Sequence, residues 1–463
     1  MNTPSLTSHV VVVDITPDTG RMVIVTLSGG SLSTTEVHRF EHHSDRPDRH
    51  STHSVNHLVT EIIAGLRIVN LELSSAQATV SVSACGGDYV CLTPQRDIVS
   101  ASTYPAQPGK VTCNPRDFFT LTGVQPAPTA TAFRLHAHLN SNPEDRSRID
   151  AVLSIPDYIV YQLTGVMGWS RSILSGTGLT QPGSKHWSPE VFNALGIPQH
   201  CVGEPSPDMT VVGPVTVPGL DNFTVVRGGA DNNACAVHGL GLVDGEAFIS
   251  FDADSLVGCI TDGPQLSDTA FAAHFSNDNC TDGHTRLQKV LPGLRLLEHC
   301  CAVFADQGRT SDVAILTAQA AQHYDPGITI DITAPGISNY PEHIARMLRH
   351  HGVDRLGESC DDPALIMRVV IASLARAHAT TVAHLEQTIH KRITSIRLIG
   401  AGAQNTLLCK LTAQVCGIPV AAGPRDATPF GSALAQLELR GHDRDTLLDI
   451  ERARTVRTVY TPS

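Results

Sequence analysis

Twice along this chain a short apolar run, an acidic turn and a second apolar run follow one another, and this repetition constrains the fold more than any other feature. The first copy is His9-Val-Val-Val-Val-Asp14, then Thr16-Pro-Asp-Thr-Gly20, then Met22 to Leu27. The second is Glu246-Ala-Phe-Ile-Ser-Phe-Asp-Ala-Asp-Ser-Leu-Val-Gly-Cys-Ile260. β-Branched and aromatic runs broken by Gly, Pro and Asp read as strand, tight turn, strand. Helix-period segments follow each copy, so two domains built on one plan are expected. The length of 463 residues accommodates two large domains. The boundary is expected near Gly241 to Gly245, giving domains over 1–243 and 244–440 and a polar tail over 441–463.

Coarser elements fill the frame. A helix is expected over Leu58 to Val69, two short strands over Ala78 to Leu92, and loop with short elements over 100–147. Ile149 to Leu163 reads as helix despite Pro156, and Pro189 suits the first position of a helix begun by Ser188. Further helices are expected over 293–305, 312–322, 341–351 and 363–391. The chain then offers a strand (Ser395 to Ile399), a glycine turn, a helix (Gln404 to Cys416), a strand near Val420 and a helix from Thr428 to Arg440.

Composition excludes several function classes. With 33 Lys+Arg against 45 Asp+Glu, the net charge is −12, which argues against nucleic acid or a membrane surface as partner. Aromatic residues at 5% offer little base-stacking surface. The 23 histidines make this a neutral-pH statement, since most gain charge below about pH 6.5. No apolar run approaches the ~20 residues of a membrane span, and the polar start lacks a signal peptide's basic region, so a cytoplasmic protein is expected. The twelve cysteines form no C-x-x-C pair and read as buried thiols.

Three segments carry candidate chemistry, each with a plainer alternative. Gly400-Ala-Gly402-Ala-Gln-Asn405 follows a strand and opens a helix, which suits anion or nucleotide contact or a simple helix-entry turn. Gly228-Gly-Ala-Asp231-Asn-Asn233 lets the backbone approach a ligand beside an acid that accepts a proton; Asp231 equally suits a helix cap. Asp14, with Gly20 and Arg21 closing its turn, could place a Mg²⁺-bound water near phosphates or serve as a turn acid. His42, His43, His50, His53 and His57 lack fixed ligand spacing and are not read as a metal site. There is no G-x-x-x-x-G-K-[ST] loop.

The order of these pieces matters more than any one of them. Together with Glu36-Val-His-Arg-Phe40, Gly86-Gly-Asp-Tyr-Val90, Ile155-Pro-Asp-Tyr-Ile-Val-Tyr-Gln-Leu-Thr-Gly165, Thr177-Gly-Leu-Thr180, Trp187-Ser-Pro-Glu190, Leu195-Gly-Ile-Pro198 and the closing stretch Ile399 to Leu434, the chain resembles the FGGY carbohydrate kinases, with the rhamnulokinase branch nearest. The resemblance implies an α/β fold of two actin-like (ribonuclease H-like, ASKHA) domains with ATP and a sugar, a ketose such as rhamnulose, in the interdomain cleft. It makes Asp231 the catalytic base and Gly86, Asp88, Ala230 and Asn232 substrate contacts. It assigns Asp14, Asp18, Thr19, Gly20, Arg21, Asp252, Ala253, Glu298 and Gly402 to ATP, with Asp14 toward Mg²⁺.

Against the family pattern, Thr16 and Asp252 replace glycines, Ala253 a phosphate-contacting threonine, Ala230 a histidine, Val290 a sugar-binding asparagine and Glu298 a glutamine. A carboxylate about 4 Å from a phosphate oxygen repels it by about 4 kcal/mol at an effective dielectric near 20. Two readings stay open: an ATP-dependent sugar kinase, or a weak or inactive homologue that binds ligand as a regulatory protein.

Overall fold

The computed structural model describes residues 7–42, 52–103, 108–334, 337–357, 359–455 and 457–462. The chain forms two units. The first comprises Met1–Gly241, Thr261–Leu287 and Ala427–Arg454, the second Leu242–Ile260, Gln288–Asp426 and Thr455–Ser463. This differs from a single cut at 243/244, because the end of the chain returns to the first unit.

That unit is built on six strands: β1 (Ser8–Ile15), β2 (Thr19–Ser28), β3 (Ser31–Glu41), β4 (Ala78–Ser83), β5 (Thr210–Pro214) and β6 (Phe223–Arg227), in the order β5-β6-β4-β1-β2-β3. β1 and β6 both run parallel to β4, while β2 and β3 continue antiparallel. Val10 to Val13 of β1 are all fully buried, as in a strand covered on both faces. Alternation sorts them. Val11, Val13 and Ile15 share a core with Val55, Leu58, Ile62 and Leu66 of helix Thr52–Glu72. Val10 and Val12 join Val23 and Val25 on the other face.

That second face is covered by helix Ala427–Leu439, through Phe430, Ala433, Leu434 and Leu437, and by Leu447 and Leu448 of helix Arg444–Arg454. The polar tail expected over 441–463 is therefore corrected. Leu447 and Leu448, set among charged residues, bury themselves under β1, and Thr458–Tyr460 pairs antiparallel with Val420–Ala422. A buried polar cluster fixes the register of the long helix. Gln436 Nε2 donates to Val11 O (2.9 Å) and Ser81 Oγ (2.7 Å), its Oε1 accepts from Thr79 (2.7 Å), and Ser432 and Ser81 share a hydroxyl bond.

Two other readings shift. The stretch expected to be mostly loop carries helices Pro115–Thr122 and Thr131–Ser141, the first capped by Asn114. The helix expected from Ile149 begins later. Ala151–Ser154 is a strand paired with Tyr89–Leu92, and Ser154 then caps helix Ile155–Thr164, with Pro156 in its first turn.

In the second unit β7 (Glu246–Phe251), β8 (Asp254–Thr261), β9 (Ser395–Ile399), β10 (Val420–Ala422) and β11 (Thr458–Tyr460) lie in the order β8-β7-β9-β10-β11. β7, β9 and β10 run parallel, and β7 and β8 form the second hairpin. Helix Pro363–Ile389 is long and apolar enough to cross a membrane, yet 72% of its most apolar window is buried inside the fold, as a core helix is. It packs on helices Leu294–Asp306 and Thr406–Cys416. All twelve cysteines are free thiols, nine of them buried.

The packing of the last helix is testable. Leu448→Ala should lower the unfolding free energy by about 2–5 kcal/mol in urea denaturation, the range for a buried leucine. A change below about 0.5 kcal/mol would place the residue on the surface instead.

Candidate active site

In the first unit the three parallel strands β1, β4 and β6 end at one edge, the edge where open α/β sheets receive ligands. Asp14 lies opposite Ser83, and one residue further on Ala84 bridges to Asp231. Asp14 is buried, and its Oδ2 accepts from Arg21 Nε (2.9 Å) and Nη2 (2.8 Å). Thr16 closes the first turn through its own amide and hydroxyl, both donating to Thr19 O (2.8 and 3.0 Å). His42 Nε2 donates to Thr16 O (2.8 Å), and the His42 amide to Asp18 O (3.2 Å). Gly20 packs under the Phe40 ring, which a Cβ there would displace. His43 and His50 lie outside the described residues.

Gly86 has open space where a side chain would stand. Asp88 is engaged internally: Arg134 Nη1, itself buried, donates to Asp88 Oδ1 and Gly87 O, both at 2.9 Å. Asp88 also lines a small cavity with Ile15, Thr16, His42, Ala84 and Cys85.

Asp231 is held more tightly than the sequence foretold. The preceding turn needs Gly229, which has φ +99° and whose Cβ would lie 2.7 Å from Cys235 Sγ. Ala230 O and Asn232 N bond the Ala84 backbone, and Asn232 Nδ2 donates to Ile15 O (2.7 Å). Asp231 does cap helix Asn232–His238, its Oδ2 accepting from Ala234 N (2.9 Å). The same oxygen accepts from Arg286 Nη2 at 2.6 Å, and Arg286 Nε donates to Asn279 O (3.2 Å). Both charges are buried. Burial alone would lower the Arg286 pKa, but the carboxylates of Asp231 and Asp278 more than offset this and raise it, so the guanidinium stays charged. Sequence reasoning missed Arg286. It sits on a strand of mixed polarity, its partner is 55 positions away, and no local signal marks it.

A second missed group lies behind the loop. The Ala230 amide donates to Ser172 Oγ (2.8 Å), and Ser172 donates through its amide and hydroxyl to Asp208 (2.7 and 2.9 Å). Burial pushes Asp208 up to about 7, against the opposing bonds from Ser172, and burial likewise raises Asp157, which Arg227 approaches at 3.9 Å.

In the second unit, the adjacent parallel strands β7 and β9 are followed directly by Asp252 and Gly400. The Ala401 amide donates to Asp252 Oδ1 at 2.9 Å. Gly400 has φ +81°, and its Cβ would lie 2.5 Å from Asp252 Oδ2; a Cβ on Gly402 would lie 2.5 Å from Phe251 Cβ. The hairpin turn also anchors the start of helix Leu294–Asp306, as Leu294 N and Arg295 N donate to Asp252 O (2.7 Å) and Ala253 O (3.2 Å). Glu298 lies exposed on that helix, and the Ala253 methyl has no hydroxyl to donate.

An α/β chain of two units with acidic hairpins, glycine turns and a clamped aspartate at parallel strand ends is that of a two-domain small-molecule kinase. Family models agree: the FGGY carbohydrate kinase N-terminal domain matches residues 10–238 and the C-terminal domain residues 248–438. The chain belongs to the FGGY family of carbohydrate kinases. Curated relatives include the rhamnulokinase of Pectobacterium carotovorum, 28% identical over 94% of this chain and 88% of the relative. The rhamnulokinase of Klebsiella pneumoniae subsp. pneumoniae is 28% identical over 98% and 95%. Among solved structures, xylulose kinase from Lactobacillus acidophilus superposes with TM-score 0.79 at 14% identity, over 98% of this chain and 94% of that one. Plasmodium falciparum glycerol kinase with ADP gives 0.77 at 13%, over the same shares.

The Asp208 network predicts a pH dependence. The folded chain keeps the Asp208 proton where the unfolded chain has lost it, so the native state binds more protons and stability falls as pH rises from about 4 to about 7. Asp208→Asn should flatten that part of the Tm–pH curve; an unchanged slope would remove Asp208 as its source.

Proposed function

We propose that this chain phosphorylates a hydroxyl of a rhamnulose-like ketose with ATP, in the cytoplasm. The observation that supports the reading is the clamp on Asp231: Arg286 and the Ala234 amide both hold Oδ2, leaving Oδ1 as the oxygen we propose for proton uptake. A carboxylate fixed by one oxygen keeps the other aimed, as general-base catalysis requires.

In the proposed step the sugar hydroxyl oxygen attacks the γ-phosphorus while its proton passes to Asp231 Oδ1. The bond from the γ-phosphorus to the bridging oxygen breaks, and ADP leaves with that electron pair. Little covalent chemistry falls to the protein, so positioning and charge stabilisation dominate. Gly86 and the backbone at Ala230 are assigned to the sugar, with Asn232, whose Oδ1 is buried without a partner among the described residues. The first hairpin, from Asp14 to Arg21, and the turns at Asp252–Ala253 and Gly400–Gly402 are assigned to the nucleotide.

Among the described residues no group of three or more His, Cys, Asp or Glu is placed to hold a metal ion. Asp14 is the carboxylate that would face the water shell of a Mg²⁺ ion brought in with ATP. Bound there, Mg²⁺ would neutralise charge on the phosphates.

A coupled ADP-release assay with MgATP and a panel of ketoses tests the reading. Turnover should be highest with rhamnulose, and Asp231→Asn should reduce kcat by about 10²–10⁴-fold. Equal rates for wild type and Asp231→Asn would overturn the assignment of the base. Absence of turnover with every ketose would overturn the kinase reading.

A further inference from the structure

We propose that Asp252 is a built-in competitor of the nucleotide's phosphate chain and thereby sets how tightly the second unit holds ATP. The inference rests on the kinase reading above. β7 and β9 are neighbouring parallel strands, and the space beyond their carboxyl ends is where an open α/β sheet takes an anionic ligand. The turn that follows β9 presents backbone amides before a helix, an arrangement suited to anions. One of those amides already has an anion on it. The Ala401 N–H donates to the Asp252 carboxylate at 2.9 Å, the distance at which it would meet a phosphate oxygen.

The contact is built into both partners. Gly400 leaves the space the carboxylate fills, since a Cβ there would come within 2.5 Å of Asp252 Oδ2. The Asp252 backbone is tied at both ends, its amide donating to Asp254 O (2.9 Å) and its carbonyl accepting from Leu294 N (2.7 Å). Displacement must therefore occur by rotation of the side chain alone. Asp252 is exposed, so its carboxylate can turn out into water without the penalty of moving a buried charge. Competition, rather than a permanent block, follows. Phosphate must displace a like-charged group from the amide, and each charge-assisted hydrogen bond exchanged in this way offers the incoming ligand little net gain.

Removing the carboxylate should release the amide. Calorimetry with MgATP should show Asp252→Gly binding at least about tenfold tighter than wild type, the change expected from one charge-assisted bond. Asp252→Asn keeps an acceptor oxygen without the charge and should fall between the two. Without nucleotide, hydrogen exchange over residues 400–405 should be faster in Asp252→Gly and be restored to slow exchange by MgATP. Equal or weaker MgATP binding by both variants, with ADP release still dependent on Asp231, would overturn the competitor role and leave the kinase reading standing. Weaker binding by Asp252→Gly alone would make Asp252 a support of the nucleotide's metal and overturn the proposal. Failure of the wild type and of both variants to bind MgATP would overturn the kinase reading, and the proposal with it.

Discussion

Strand β1 has no solvent face, and much of the first unit follows from that constraint. Its valines alternate between two cores, and neither core closes without a helix layer. One layer comes from the helix directly after the hairpin. The other comes from the far end of the chain, so residues 427–454 belong to the first unit although the intervening residues mostly do not. Because Gln436 reaches the β1 backbone at Val11, that end is fixed in register as well as buried. A buried amide with its partners in place rewards one alignment and penalises every slip.

The Asp231–Arg286 pair shows a different economy. A buried ion pair is weak evidence of stability, because desolvation consumes most of the attraction. Keeping one beside the proposed reacting atom is better explained by orientation. Asp231 accepts a helix amide and a guanidinium on the same oxygen, and its loop is further tied through Ala230 to Ser172 and Asp208. The side chain has few ways to move.

How much of this was legible depended on how far apart the interacting residues lie. The two hairpins, the strand Ser395–Ile399 and the turn at Gly400 rest on neighbours in sequence and were read from Gly, Pro, Asp and β-branched residues alone. Asp231 was legible as an acid opening a helix, which it caps with the oxygen that Arg286 also binds. Arg286 and Ser172–Asp208 were invisible, because a buried charge on a strand looks like an exposed one until its distant partner is known. Helix Arg444–Arg454 was misread because two leucines among charges give too weak a periodic signal. At Asp252 the sequence revealed a charge that repels a phosphate placed beside it; only the structure reveals that this charge has an amide of its own.

The return of the chain end also bears on synthesis. A ribosome releases the β1–β2–β3 hairpins long before the helices over 427–454. Until those helices emerge, one face of the first sheet, with Val10, Val12, Val23 and Val25, stands without its native cover. Domains that fold as contiguous units escape this interval, and exposed apolar strands are what chaperones bind and aggregates recruit. The first unit can complete only when residues 427–454 have emerged, so its order of birth and its order of folding are different.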